Sequence, residues 1–230
     1  CCCCCCCCCC WGRNDTGQLG LGLNDDPAAP GGNVAFANYG DEVGEETALS
    51  LFTVDFGDDT EAEAREISAG EDFACAIFDD AEGTGWVKCW GNNTYGQLGQ
   101  EHTIPKGDSA DDIADMDRIR LGTDAEGEEY RAIAIESGLY HTCAILHDNK
   151  VKCWGHNGSG RLGNGESSNR GDTDNDMGDN LPVVIDNNGL AVEAVEVAAG
   201  WEHTCFRTSV GQMGCVGYNG HYNLGQAHAS

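Results

Sequence analysis

Hydrophobic positions along this chain fall in short runs separated by turn-prone polar residues. Cys143-Ala-Ile-Leu146 and Val151-Lys-Cys-Trp154 flank His147-Asp148-Asn149-Lys150, and two β-type runs around such a link predict a hairpin. The two-residue period of a strand then sets the register: with Cys143 opposite Cys153, Ile145 falls opposite Val151 on the same face. Two other segments agree. Cys75 and Ile77 face Cys89 and Val87 across a longer tip, and Cys205 and Arg207 face Cys215 and Met213 across Ser209-Val210-Gly211, with Arg207 the one departure from the apolar pattern. Opposed positions on antiparallel strands hold their Cβ atoms about 4.5–5.5 Å apart, so slight twisting brings each cysteine pair within disulfide reach.

Strands are also expected around the hairpins. Leu51-Phe-Thr-Val-Asp-Phe56 alternates like a short strand. Ala62 to Ile67, Tyr130 to Ile135 and Ala191 to Val197 occupy matching places. The first, rich in Glu and Ala, could pass for helix on its own, but the match decides for a lead-in strand. Leu181-Pro-Val-Val-Ile185 is expected as an outer strand, with Pro182 at its start, where no ladder donor is needed.

The hairpins lie inside a longer repeat. Cys153-Trp-Gly-His-Asn-Gly-Ser-Gly-Arg-Leu-Gly163 recurs from Cys89 to Gly99 and from Cys10 to Gly20, and in worn form from Cys215 to Gly225, where Val216 stands in place of Trp. A second phrase precedes each hairpin: Gly70-Glu-Asp-Phe73, Gly138-Leu-Tyr-His141 and Gly200-Trp-Glu-His203. Units of roughly 60–80 residues point to a repeat architecture.

These phrases resemble the regulator of chromosome condensation repeat family, in which a Gly-x-x-His-Thr strand, a hairpin and a Trp-Gly-x-Asn-x-x-Gly-Gln-Leu-Gly turn make one blade of a β-propeller. The resemblance spans Trp11 to Gly225. It implies an all-β fold of about three blades, an incomplete arc of a propeller that closes with about seven. Residues 10–67 would be a partial blade with a long insert, 68–135 and 136–197 blades, and 198–230 a further partial blade, all in one propeller domain and all a piece of a longer chain. Trp11, Trp90 and Trp154 are expected to pack at the repeated position, His141 and His203 to bond backbone between blades, and Trp86 and Trp201 to serve as exposed contacts. The paired cysteines look like those of extracellular bacterial members. Val216, Phe73 in place of His, and the insert after Gly20 depart from the pattern. An open arc exposes strand edges, which invite self-association.

Ten cysteines open the chain, with no alternation, turn chemistry or defined pairing. Cys10 matches Cys89 and Cys153 and belongs to the repeat; residues 1–9 are expected to be an artefact or placeholder, the rival being a metal-loading or lipid-anchored tail. The 33 glycines suit a protein of many tight turns. Twelve basic residues against 39 acidic ones give a formal charge of −27, a field that repels phosphate backbones and argues against nucleic acid. No apolar run approaches the roughly 20 residues of a membrane span.

The cysteine pairs carry the clearest chemistry. Closing a loop of about 10 residues stabilises a blade by roughly 2–3 kcal/mol and implies an oxidising compartment, hence an extracellular, periplasmic or cell-surface location. Zinc would want cysteines two to four apart. His141 and Cys143 share a strand face and could form a nucleophilic dyad, but the pair recurs as His203 and Cys205, each cysteine with its own disulfide candidate. Asp172, Asp174 and Asp176 alternate like the start of a calcium loop, although glycine comes late at Gly178 and no Glu follows at the twelfth position. A solvated loop is the alternative to calcium there, no other cofactor is expected, and the preceding blade carries a second acidic loop with Asp108, Asp111, Asp112, Asp115 and Asp117. The sequence therefore predicts a non-enzymatic extracellular or cell-surface interaction module with an unidentified protein partner. A structural subunit of a larger assembly and a secreted enzyme inhibitor are the alternatives.

Overall fold

The computed structural model describes residues 2–4, 7–9, 16–20, 54, 56, 63–80, 83–108 and 112–225. Trp11, Cys10, most of the insert after Gly20 and Asp111 lie outside them. The architecture is all-β. Strands β1 (Cys2–Cys4) and β2 (Cys7–Cys9) pair antiparallel, a backbone order that the featureless cysteine tract does not announce. Three antiparallel three-stranded sheets follow as blades: β3 (Glu63–Ala69), β4 (Phe73–Asp79) and β5 (Trp86–Gly91); β6 (Ala132–Ser137), β7 (His141–Leu146) and β8 (Val151–Gly155); β9 (Glu196–Ala199), β10 (His203–Arg207) and β11 (Met213–Gly217). No helix among the described residues is long and apolar enough to cross a membrane.

Hairpin registers follow the cysteines. Cys75 pairs with Cys89, Cys143 with Cys153 and Cys205 with Cys215, and Arg207 sits opposite Met213. All three pairs are disulfides, with Cα atoms 4.0, 4.1 and 4.0 Å apart. Arg207 keeps its charge in solvent beside Glu196, 2.6 Å away. The first two lead-in segments are strands, with β-bulges between Ala64 and Glu66 and between Ala132 and Ala134, but the third is a correction: of Ala191 to Val197 only Glu196 and Val197 lie in β9, and Ala191 and Glu193 make isolated bridges. The outer strand over Leu181 to Ile185 is a correction: a single bridge, Lys152 with Val183, holds it beside β8. Pro182 has no N–H to donate, so the contact comes from Val184 N to Val151 O at 2.8 Å, matched in the first blade by Ile119 N to Val87 O at 2.8 Å.

The first two blades bury both faces of their hairpins, and the third buries only the face turned to the second. On β4, Cys75 and Ile77 join Val87 and Cys89 in a core shared with Ile135, Ala144 and Trp154 of the second blade. Ala74, Ala76 and Phe78 point the other way, packing with Trp90 on Leu19 and Val54. The second blade repeats the scheme, sending Cys143, Ile145, Val151 and Cys153 toward Val197 and Phe206 of the third. Disulfides therefore face the following blade and tryptophans the preceding one, because alternate strand residues face opposite ways.

Two glycines of the repeat have steric causes. A Cβ on Gly70, Gly138 or Gly200 would meet the ring of Phe73, His141 or His203 at 2.0–2.3 Å, so the aromatic three residues on folds back over the glycine. The glycine after the tryptophan has φ of +108° at Gly91 and +96° at Gly155, and a Cβ there would lie 2.5 Å from the carbonyl oxygen of Asp72 or Tyr140.

Cys75, Cys89, Cys143 and Cys153 are buried, whereas Cys205 and Cys215 are half-buried. Graded reduction of the folded chain should open Cys205–Cys215 first, since thiol exchange needs access to sulfur. Differential alkylation and peptide mass should find it labelled while the other two bonds persist.

Candidate functional site

The repeated residues meet at the blade junctions. The turn carbonyl of Gln97 accepts the Trp154 indole N–H at 3.0 Å and the Thr142 hydroxyl at 3.5 Å. One blade earlier, Gln18 O accepts Trp90 Nε1 at 3.1 Å. One blade later the Val216 side chain has no N–H to offer, and the Thr204 hydroxyl donates to the equivalent carbonyl, Arg161 O, at 2.9 Å. A buried carbonyl without a donor is costly. Thr204 thus replaces the missing indole.

His141 lies fully buried with Nε2 2.8 Å from Thr204 Oγ1. Thr204 spends its one hydroxyl proton on Arg161 O, so His141 Nε2 must donate and Nδ1 is the bare nitrogen. Nδ1 has no partner in the structure. Burial, followed by the charge of Arg161, lowers the His141 pKa to about 3. The described contact of His141 with the next blade is to a side-chain hydroxyl, where the sequence predicts a bond to backbone. His203 packs over Gly200. Cys143 is tied to Cys153, which removes it as a nucleophile.

Asp172, Asp174 and Asp176 do not converge on an ion site. Asp176 is taken up by Arg170 at 3.3 Å and by the Thr173 backbone and hydroxyl, and Asp172 accepts from Asn169 Nδ2 at 3.0 Å. Among the described residues no group of three or more His, Cys, Asp or Glu side chains could hold a metal.

Trp201 is 69% exposed, but Trp86 is a correction, at 7%. Paired across from Phe78, Trp86 stacks on that ring at 4.3 Å and carries the Arg118 guanidinium 4.3 Å from its own. It lines an open groove of about 1860 Å³ with Tyr130, Asp124, His147 and Asp179.

Two repeated lysines escaped the sequence reading. Lys88 and Lys152 precede the second cysteine of their hairpins and are 3% and 4% exposed. Lys152 Nζ donates to Leu121 O at 2.6 Å and Gly178 O at 3.1 Å, and Lys88 Nζ to Phe56 O, Ile113 O and Ala114 O at 3.2, 3.0 and 3.3 Å. Each ties the outer segment of the preceding blade to its own. Burial lowers the Lys152 pKa to about 8. The Val-Lys-Cys-Trp phrase, present twice, was the available signal.

The regulator of chromosome condensation (RCC1) repeat matches residues 64–97 and 132–161, and a second model of that repeat matches 148–207. The ultraviolet-B receptor UVR8 of Arabidopsis thaliana is 25% identical over 209 residues, which take in 91% of this chain and 36% of the receptor. Prp20p from Saccharomyces cerevisiae superposes with a TM-score of 0.59 at 18% identity, covering 94% of this chain and 42% of its own. Human WBSCR16 superposes with a TM-score of 0.57 at 19% identity, covering 90% and 42%. The chain thus spans 36–42% of the length of these proteins.

Thr204→Val should cost about 1–3 kcal/mol, because it strands a buried His141 N–H and the Arg161 carbonyl together. Thr142→Val, whose hydroxyl contact is 3.5 Å long, should cost less; urea melts of both variants check the order. The folded His141 pKa lies below the unfolded 6.5, so the unfolded chain binds the extra proton and stability falls as pH drops from about 6.5 toward 3, by at most about 1.4 kcal/mol per pH unit. His141→Gln should flatten that part of the stability profile.

Proposed function

Because the chain is built from regulator of chromosome condensation repeats, we propose that it is a non-enzymatic interaction module working outside the reducing cytosol, with its loops presented on disulfide-stapled blades. The three disulfides in one repeated register carry this reading, since bonds of this kind persist in secreted, periplasmic or surface proteins. The use of His141 and Cys143 as structural groups supports a binding role over catalysis. So does the work on Prp20p, which concerns its binding to Gsp1p and histones. A formal charge of −27 favours a protein partner over nucleic acid.

Self-association is the second reading. Val210 and Met213 at the tip of the β10–β11 hairpin are 80 and 75% exposed, and apolar surface next to an edge strand favours pairing with another copy.

Peptide mapping of the protein from its natural source, alkylated before lysis, should recover Cys75 linked to Cys89 and Cys143 linked to Cys153. Free thiols at those positions would sink the oxidising-compartment reading. Sedimentation across a hundredfold concentration range separates the two modes: a constant mass favours the partner-binding module, and growth that Met213→Lys abolishes favours self-association.

A further inference from the structure

The loops that open β4, β7 and β10 and the turns that follow β5, β8 and β11 gather at one end of the arc. Asn92 N donates to Asp72 O, His156 N to Tyr140 O and Tyr218 N to Glu202 O, all at 2.8 Å. Three rings meet across the first junction. Tyr95 lies 5.1 Å from Tyr140 and 4.3 Å from His156, centroid to centroid. All three are half-buried.

The repeat does not ask for aromatics there. The places equivalent to Tyr95 hold Thr16, Ser159 and His221; those equivalent to Tyr140 hold Asp72 and Glu202; those equivalent to His156 include Asn92 and Tyr218. Thr16 and Ser159 complete their turns with small side chains. Polar positions that fold equally well without a ring, but together carry three, indicate a surface made for contact.

The exposed charge on the loops that carry the rings is acidic, and the one described cation there is turned inward. Glu71, Asp72 and Glu202 stand on the same loops, and the Glu71 side chain, followed by burial, raises the Tyr140 phenol pKa. Burial, then Arg161, lowers the His156 pKa, so that ring is also uncharged at neutral pH. Arg161 is the one Lys or Arg on the described part of these loops. It is 1% exposed and turned inward onto Gly158 O and Glu202, at 2.9 and 3.0 Å.

Neutral ring faces beside carboxylates match a guanidinium, which stacks on π-faces and takes charge-assisted hydrogen bonds in its plane. The chain makes the same stacking pair internally with Arg118 on Trp86. We propose that this end of the arc docks an arginine-bearing segment of a protein partner, with the guanidinium against Tyr95, Tyr140 and His156 and within reach of Glu71. The proposal rests on the interaction-module reading and names the chemistry of its partner.

The test titrates the full chain with a labelled nona-arginine peptide and with nona-lysine of equal charge, at physiological salt. Arginine should bind more tightly. Tyr95→Ala, which leaves the net charge unchanged, should weaken the arginine peptide about 5- to 10-fold, the range expected for one lost cation–π contact. Tyr95→Phe should restore binding, and Asp148→Asn, at the far end of β7, should change it less than about twofold. If Tyr95→Ala binds like the parent, or both peptides bind alike, the attraction is the diffuse field of an acidic protein and the proposal falls. A natural partner that crosslinks elsewhere on the blades would also overturn this site while leaving the module reading intact. The absence of any partner at native concentration would instead remove the module reading itself.

Discussion

The turn carbonyl that each blade leaves at its junction is the constraint on which this structure depends. Gln18 O and Gln97 O are buried where their own blade supplies no donor, and the indole of the following blade reaches them. A buried backbone acceptor without a partner costs more than most single contacts return. Each blade is therefore complete only with a neighbour, and the tryptophan serves both as packing volume and as donor. Where Val216 has no N–H to give, Thr204 covers Arg161 O and receives His141 in turn. The repeat conserves the bond while changing the donor.

Other features follow from the first two blades burying both faces of their hairpins. Disulfides point forward and tryptophans backward, so cross-linking and inter-blade packing do not compete for space. Lys88 and Lys152 extend the scheme outward, capping backbone carbonyls where the outer segment is held by one backbone bond in the first blade and one bridge in the second. Burying an ammonium is expensive unless its protons are bonded; Lys88 finds three carbonyls and Lys152 two, and burial still lowers the Lys152 pKa. Stability is thus carried by the strands and junctions, while the loops at the blade ends remain open to variation. Tyr95, Tyr140 and Glu71 stand at such places.

How far the chain could be read in advance differs by element. The cysteine registers were legible because a hairpin is short and strand alternation admits one pairing that keeps Cys143, Ile145, Val151 and Cys153 on one face. The first two lead-in strands were legible from their matching positions, even where the Glu and Ala content of β3 suggested helix, whereas the third begins only at Glu196. Trp86 was misjudged: nothing in its own hairpin shows that Arg118, more than thirty residues on, will cover its ring. The outer strand over Leu181 to Ile185 looked longer than it is because the effect of Pro182 on the ladder depends on which neighbour it meets.

Sequence alone therefore determined the repeat, the hairpins, the disulfide partners and the glycines that the turns require, all of them set by backbone geometry within a few residues to a dozen. Tertiary structure decided the rest. That Thr204 would take both Arg161 O and the His141 proton, that Lys152 would lie buried between Leu121 and Gly178, and that Tyr95 would meet Tyr140 and His156 all depend on how one blade seats against the next. Local periodicity says which face a side chain takes. The packing of whole blades decides what that face meets.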